Sequence, residues 1–96
     1  MNYTQVPNTY KYDMLAENIY SREMEYFHYE FDKTNFLQML ATMPEGDAKN
    51  NIQQRLNETQ AQMDIVNNIY NALLAQVDNQ EAYAAAVARA EAKRSA

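Results

Sequence analysis

The sequence predicts an all-α fold: an antiparallel helical hairpin of coiled-coil type with a shorter third helix towards the C-terminus. Two observations lead to this prediction. The chain of 96 residues contains one glycine and two prolines, which is too little turn material for an all-β fold with many hairpins. Apolar residues also recur at alternating steps of four and three between residues 52 and 77. This spacing is typical of a helix that packs against a partner helix.

We call this repeat the seam, and it predicts one long helix over residues 48–77. Its members are Ile52, Leu56, Thr59, Met63, Val66, Tyr70, Leu73 and Val77. A second set at the same spacing, which we call the side stripe, consists of Ile65, Ile69 and Ala72. We expect the side stripe to pack on the third helix of the same chain. The alternative is that it contacts another copy of the chain.

A first helix is predicted over residues 9–43, after an extended arm at residues 1–8. One face of this helix carries Ala16, Tyr20, Met24, Phe27 and Phe31, and it is broadened on one side by Leu15, Ile19 and Tyr26. At 100° per residue, the later apolar positions project to the opposite side; these are Phe36, Leu40 and Met43. The short polar residues at 32–35 favour an interruption of the helix there. A continuous helix that is covered on both sides is the alternative.

The connection between the first two helices is predicted at residues 43–47. Pro44 stops the first helix, Gly46 supplies the turn and Asp47 is a good N-cap for the next helix. Because the connection is short, we expect the two helices to run antiparallel.

A last, alanine-rich helix is predicted over residues 79–94. Asp78, followed three residues later by Glu81, has the spacing of a capping box. One face of this helix carries Tyr83, Val87 and Ala90. Its small alanine side chains allow the backbones of neighbouring helices to approach closely.

The net charge of −5 is concentrated in the first half of the chain. Residues 1–47 contain three Lys/Arg and eight Asp/Glu, whereas residues 48–96 contain five of each. An acidic surface repels phosphate groups, so we expect no direct binding of nucleic acid. The acidic half can instead face a basic surface of another protein. The alternative is that the acidity only keeps the chain soluble.

The composition suggests a soluble protein inside a cell. There is no cysteine, which excludes disulfides and thiolate metal sites. The first residues lack the basic and then apolar stretch of a secretory signal, so we expect no secretion. The longest apolar run, at residues 82–88, is too short to cross a bilayer, and we expect no membrane contact.

One constellation has the spacing of metal ligands. Glu25, His28 and Asp32 lie at i, i+3 and i+7, and Glu-x-x-His is the pair used in carboxylate-bridged di-iron bundles. With one histidine in the chain, only a dimer provides the second pair. A surface histidine beside acids is the common case. We therefore predict no metal, no cofactor and, without a nucleophile–base set or a glycine-rich phosphate loop, no enzymatic activity.

Nine of the eleven aromatic residues fall within the first 36 positions, interleaved with acids. Tyrosine is frequent at protein interfaces because it joins a rigid apolar ring to a hydroxyl. The candidate partner-binding residues are Tyr20, Glu23, Glu25, Tyr26, Tyr29 and Glu30. The alternative is that these aromatic side chains fill the core of a small domain.

The segment Met43-Pro44-Glu45-Gly46-Asp47, the amide-rich helix after it and the run from Glu81 to Ala90 together resemble small helical proteins encoded by bacteriophages. The resemblance implies a virion or assembly component, or a small factor that acts on the host, and hence a location in the cytoplasm of the host cell or in a virion. The first hypothesis is therefore a non-enzymatic structural, assembly or protein-interaction protein that forms a homo-oligomer. The second is an acidic inhibitor that docks on a basic site of a host defence or nucleic-acid-handling protein. The third is a metal-binding helical oligomer.

Overall fold

In the computed structural model, which describes residues 8–96, three helices follow one another along the chain. They are α1 (Asn8–Thr42), α2 (Asp47–Leu74) and α3 (Gln80–Ser95). No strand occurs in this part of the chain, and the predicted all-α fold is confirmed. Residues 1–7 of the arm predicted at residues 1–8 lie outside the described residues. Its last residue, Asn8, belongs to α1.

The helix α1 runs without a break through residues 32–35, so the interruption predicted there is wrong. Its less exposed side follows steps of three and four, which we call the α1 repeat. The members within the helix, all buried or half-buried, are Tyr12, Leu15, Ile19, Arg22, Tyr26, Tyr29, Lys33, Phe36 and Leu40, and the repeat continues at the half-buried Met43 just after the helix. The predicted apolar face is wrong at Met24, Phe27 and Phe31, which are all exposed.

Two cationic side chains hide the α1 repeat from a search for apolar residues. Arg22 and Lys33 occupy positions of the repeat and are half-buried. A long cationic side chain can cover apolar surface with its methylene groups while its charged end reaches a polar partner. Lys33 does this by donating a hydrogen bond from Nζ to Gln60 Oε1 at 2.7 Å. The repeat therefore keeps its phase through residues 32–35, where apolar residues alone lose it.

The connection between α1 and α2 ends one residue earlier than predicted. Gly46 has a φ of +149°, a backbone conformation that favours glycine. Its carbonyl oxygen accepts the first hydrogen bond of α2, from Asn50 N at 3.0 Å. Gly46 is thus at the N-cap position, and the prediction of Asp47 as N-cap is wrong. Asp47 lies in the first turn instead, where a carboxylate interacts favourably with the helix dipole.

The chain divides into two compact units. Unit 2 is Arg22–Ile69, and the described part of unit 1 consists of residues 8–21 and Tyr70–Ala96. Unit 2 is an antiparallel hairpin formed by the second part of α1 and most of α2. Its buried α2 residues, Met63 and Val66, both belong to the seam.

Burial along α2 separates the seam from the side stripe. All eight seam residues are buried or half-buried, whereas all three residues of the side stripe are exposed. Ile65 is 50 % exposed and Ile69 is 41 % exposed. Packing of the side stripe on the third helix is therefore a wrong prediction. Ile65 and Ile69 belong to unit 2, which consists of two helices and offers them no third one.

Unit 1 buries its apolar residues between three helical segments. The core cluster consists of Tyr12, Leu15, Ala16, Ile19 and Ala86, and it is surrounded by Tyr70, Leu73, Val77, Ala82, Tyr83 and Val87. Ala86 is fully buried at 0 % exposure. The small residues of α3 thus allow close packing against α1, as the alanine-rich sequence predicts. Val77 packs here although α2 ends at Leu74, three residues before the predicted boundary.

Asp78 joins α1 to the segment before α3 and does not cap α3. The Tyr12 hydroxyl donates to Asp78 Oδ1, and Lys11 Nζ donates to Asp78 Oδ2 at 3.1 Å. The N-cap of α3 is Asn79, whose Oδ1 accepts from Ala82 N at 3.1 Å. The predicted capping box of Asp78 and Glu81 is wrong because the carboxylate of Asp78 is engaged by α1.

These contacts shift the pKa values of the groups involved. The hydrogen bond from Tyr12, followed by the one from Lys11, lowers the pKa of Asp78 below its ordinary value of 3.8. The same bond to Asp78 raises the pKa of Tyr12 above its ordinary value of 10.0. The charged carboxylate is therefore the form that these two hydrogen bonds favour.

We predict that Ala86→Leu destabilises the protein, whereas Ala85→Leu does not. Ala86 is fully buried and Ala85 is exposed one position earlier on the same helix. Added volume in a packed core costs about 1–3 kcal/mol in the free energy of unfolding. Urea denaturation followed by circular dichroism measures the difference. Equal stabilities of the two variants would contradict the close approach of α3.

We also predict that Tyr12→Phe lowers stability in a pH-dependent way. The pKa of Asp78 is lowered, so its contribution is present above pH 3.8 and disappears as the pH falls through the folded-state value. The pKa of Tyr12 is raised, so its contribution is present below pH 10.0 and disappears as the pH rises through the folded-state value. The difference between variant and wild type is therefore largest between these limits.

Urea denaturation at a series of pH values measures this dependence. The exposed Tyr10 provides the matched control, Tyr10→Phe, for which we expect no change. A loss of stability in Tyr12→Phe that is constant across the pH range would show that the hydroxyl acts without Asp78.

Candidate interaction surface

Three large apolar side chains lie exposed together on the second part of α1. Met24, Phe27 and Phe31 are 42 %, 57 % and 66 % exposed, and we call them the apolar strip. Their spacing of three and four places them on one face of the helix. The α1 repeat occupies the opposite side, so the apolar strip points away from the seam of α2.

The exposed apolar surface is concentrated in unit 2. Of the ten described large hydrophobic residues that are exposed, seven belong to this unit. They are Met24, Phe27, Phe31, Leu37, Met39, Ile65 and Ile69. The cause is geometric, because each helix of a two-helix hairpin has one neighbour and buries one stripe. Contiguous exposed apolar residues mark surfaces that bind other molecules.

Acidic residues accompany the apolar strip, whereas cations do not. Glu23 and Glu30 lie on one edge of this face at helical spacing, and His28 lies on the other. The Nε2 atom of His28 is 3.6 Å from Asp32 Oδ2. The two cations of residues 21–38, Arg22 and Lys33, belong to the α1 repeat on the opposite side. Unit 2 contains four Lys/Arg and eight Asp/Glu, a net charge of −4.

The predicted partner-binding tyrosines do not share this exposed face. Tyr26 and Tyr29 are half-buried members of the α1 repeat. Tyr20 is covered by α3, since the guanidinium of Arg94 lies 3.5 Å from the centre of its ring. Between residues 26 and 31, the exposure of tyrosine and phenylalanine is thus the reverse of the predicted one. The sequence does contain a signal for the buried side. Tracing steps of three and four backwards from Phe36, and accepting Lys and Arg as members of the repeat, identifies Tyr26 and Tyr29 as positions on this side.

The predicted partner-binding acids also differ from one another. Glu25 is half-buried, and its Oε2 lies 2.8 Å from Arg22 Nε in an ion pair. Glu23 is half-buried and has an interaction within the protein. Glu30 is exposed, and its backbone carbonyl accepts a hydrogen bond from the Thr34 hydroxyl at 3.0 Å. Of the predicted set, Glu30 is therefore the residue best placed to contact a partner.

The low-ranked metal candidates are not brought together as ligands. Glu25 is paired with Arg22, while His28 and Asp32 contact each other. Within residues 8–96, no group of three His, Cys, Asp or Glu side chains has an arrangement that could hold a metal ion. Within one chain, Glu25, His28 and Asp32 therefore do not form a set of metal ligands.

Unit 2 also contains an open groove of about 460 Å³ between α1 and α2. It is lined by Tyr29, Asp32, Phe36, Arg55, Glu58, Thr59 and Gln62. The lining mixes two carboxylates, a guanidinium, an amide and two aromatic rings. Such a shallow, mixed surface adds polar contact area beside the seam.

Comparison with known proteins identifies no relative, since no protein-family model, curated protein or solved structure matches the chain. The resemblance to bacteriophage proteins stays a prediction. Among the described helices, none has the length and the apolar content needed to cross a bilayer.

We predict that Phe27→Gln and Phe31→Gln each change the free energy of unfolding by less than about 1 kcal/mol, because both rings are exposed. Phe36→Gln is the matched control in the same helix. Phe36 is a half-buried member of the α1 repeat, so its replacement should cost about 2 kcal/mol. Urea denaturation of the three variants measures this. A large loss in Phe27→Gln or Phe31→Gln would show that the apolar strip is covered within the protein.

Proposed function

We propose that this chain is a non-enzymatic protein-interaction protein that works in the assembly of a larger complex and contacts its partner through the apolar strip. The observation that carries the proposal is the exposure of Met24, Phe27 and Phe31 on one side of unit 2. These side chains contribute nothing to the buried stripe between the two helices. Another molecule can therefore bury these side chains by binding to them.

An order-of-magnitude estimate supports a reversible contact. A Phe side chain offers about 200 Å², so the exposed fractions of the three residues together amount to about 300 Å². Covering this area contributes about 8 kcal/mol at 25 cal/mol per Å². Association itself costs about 4–15 kcal/mol. The apolar strip therefore needs additional contacts from its surroundings, and a partner that uses the strip must also use the neighbouring polar residues.

A second candidate function is favoured by the distribution of charge. Unit 2 holds −4 of the net charge of −5, so its surface is suited to a basic site of another protein. A small acidic protein that occupies such a site acts as an inhibitor. The two candidates differ in consequence, because an inhibitor abolishes an activity of its partner, whereas an assembly protein leaves a stable complex with that activity intact.

We predict that a photo-crosslinking amino acid at position 27 forms a covalent product with a partner in cells that naturally produce the protein. The matched control is position 51 of α2, where Asn51 is exposed and polar. Mass spectrometry identifies the product, which is either another copy of the chain or a different protein. Absence of any product at position 27, or equal products at both positions, would overturn the proposed function.

A further inference from the structure

We infer that the apolar strip binds a basic amphipathic helix of a different protein, with the apolar side of that helix on Met24, Phe27 and Phe31 and its Lys/Arg residues beside Glu23 and Glu30. This inference rests on the proposed function and adds the chemical class of the partner.

The shape of the apolar strip favours a helix. Met24 and Phe31 are seven residues apart, which corresponds to about 10 Å along α1. A helix surface has no free backbone hydrogen-bonding groups along its length, so an extended peptide that lies on it leaves its own groups unpaired. A helical partner pairs its backbone internally and presents apolar side chains at the same steps of three and four. Two turns of such a helix match the length of the strip.

The charges beside the apolar strip favour a basic partner. Glu30 is exposed next to Phe31, and Glu23 lies one turn from Phe27 on the same edge. The cations Arg22 and Lys33 lie on the opposite side of α1. Lysine and arginine next to the apolar residues of a partner would therefore find the exposed carboxylate of Glu30 on a side of α1 to which neither Arg22 nor Lys33 belongs. Such pairs increase the association rate and orient the partner.

The same charges disfavour the other occupants. A second copy of the chain would place one unit of charge −4 against another, with like charges on both sides of the contact. Nucleic acids and anionic lipid surfaces carry the same sign as unit 2 and are repelled. A basic helix is the occupant that is complementary in both polarity and charge.

The test uses the whole protein and a synthetic peptide of about 18 residues that forms a helix with leucines at steps of three and four and lysines beside them. Two control peptides accompany it, one with the same composition in scrambled order and one with glutamate in place of lysine. Isothermal titration calorimetry measures the affinities. We expect one peptide to bind per chain with a dissociation constant on the order of micromolar, and we expect both control peptides to bind at least about tenfold more weakly.

Protein variants locate the contact. Phe27→Gln combined with Phe31→Gln should weaken binding at least about tenfold, whereas Ile65→Gln, at an isoleucine of α2 that is 50 % exposed, should not. Glu30→Lys should weaken binding more than Glu58→Lys, which changes the net charge equally on α2. Circular dichroism checks that each variant remains helical, and Phe31→Gln alone serves if the double variant does not.

The outcomes separate this inference from the proposed function. Absence of binding, equal binding of a control peptide, or unchanged binding by Phe27→Gln/Phe31→Gln overturns the basic helix as partner. A dimer in analytical ultracentrifugation that the same variant dissociates also overturns it, because the occupant is then a second copy. In these cases a photo-crosslink at position 27 still supports the proposed function, which fails only when that crosslink is absent or unspecific.

Discussion

A two-helix hairpin can bury only one narrow stripe of each helix, and this limit determines what unit 2 presents to its surroundings. The seam of α2 and the α1 repeat supply the two stripes. Every apolar residue off these stripes must lie at the surface of the hairpin. Phe27 and Phe31 occupy outer positions of α1 and are therefore exposed, although they belong to the most apolar residue types. Their exposure follows from their place in the repeat and not from their chemistry.

Unit 1 escapes this limit because α3 adds a third helical segment. Ala86 is completely buried because its small side chain lets α3 approach α1 closely. Polar residues at the edges fix the position of α3 along α1: Arg89 contacts Asp13 at 2.7 Å and Arg94 lies over the ring of Tyr20. The later residue of α1 meets the later residue of α3, so the two helices run parallel here. The described part of unit 1 thus leaves fewer large apolar residues exposed than unit 2 does.

The sequence predicts the fold class and the seam well because the buried repeat of α2 consists almost entirely of apolar residues. The prediction of the buried face of α1 fails because some residues on the buried side of this helix are charged, while some on the exposed side are apolar. Lys33 lies on the buried side with its amine on Gln60, while Phe31, two positions earlier, faces outwards. Local signals also miss long-range contacts. Asp78 and Asn79 are both good N-caps, and only the approach of Tyr12, distant in sequence, removes Asp78 from that role.

The exposure of Phe27 and Phe31, in spite of their apolar character, is the observation from which we propose an interaction function. A glutamine at position 27 or 31 would serve the isolated hairpin equally well, because neither ring contributes to the buried stripe. Folding of unit 2 does not bury these rings, so burying them against a partner would stabilise the complex. Since the apolar area alone is too small for tight binding, the acids beside it must contribute. Electrostatic attraction at an exposed surface is weakened by salt. The contact that we propose would therefore be reversible and would weaken as the ionic strength rises.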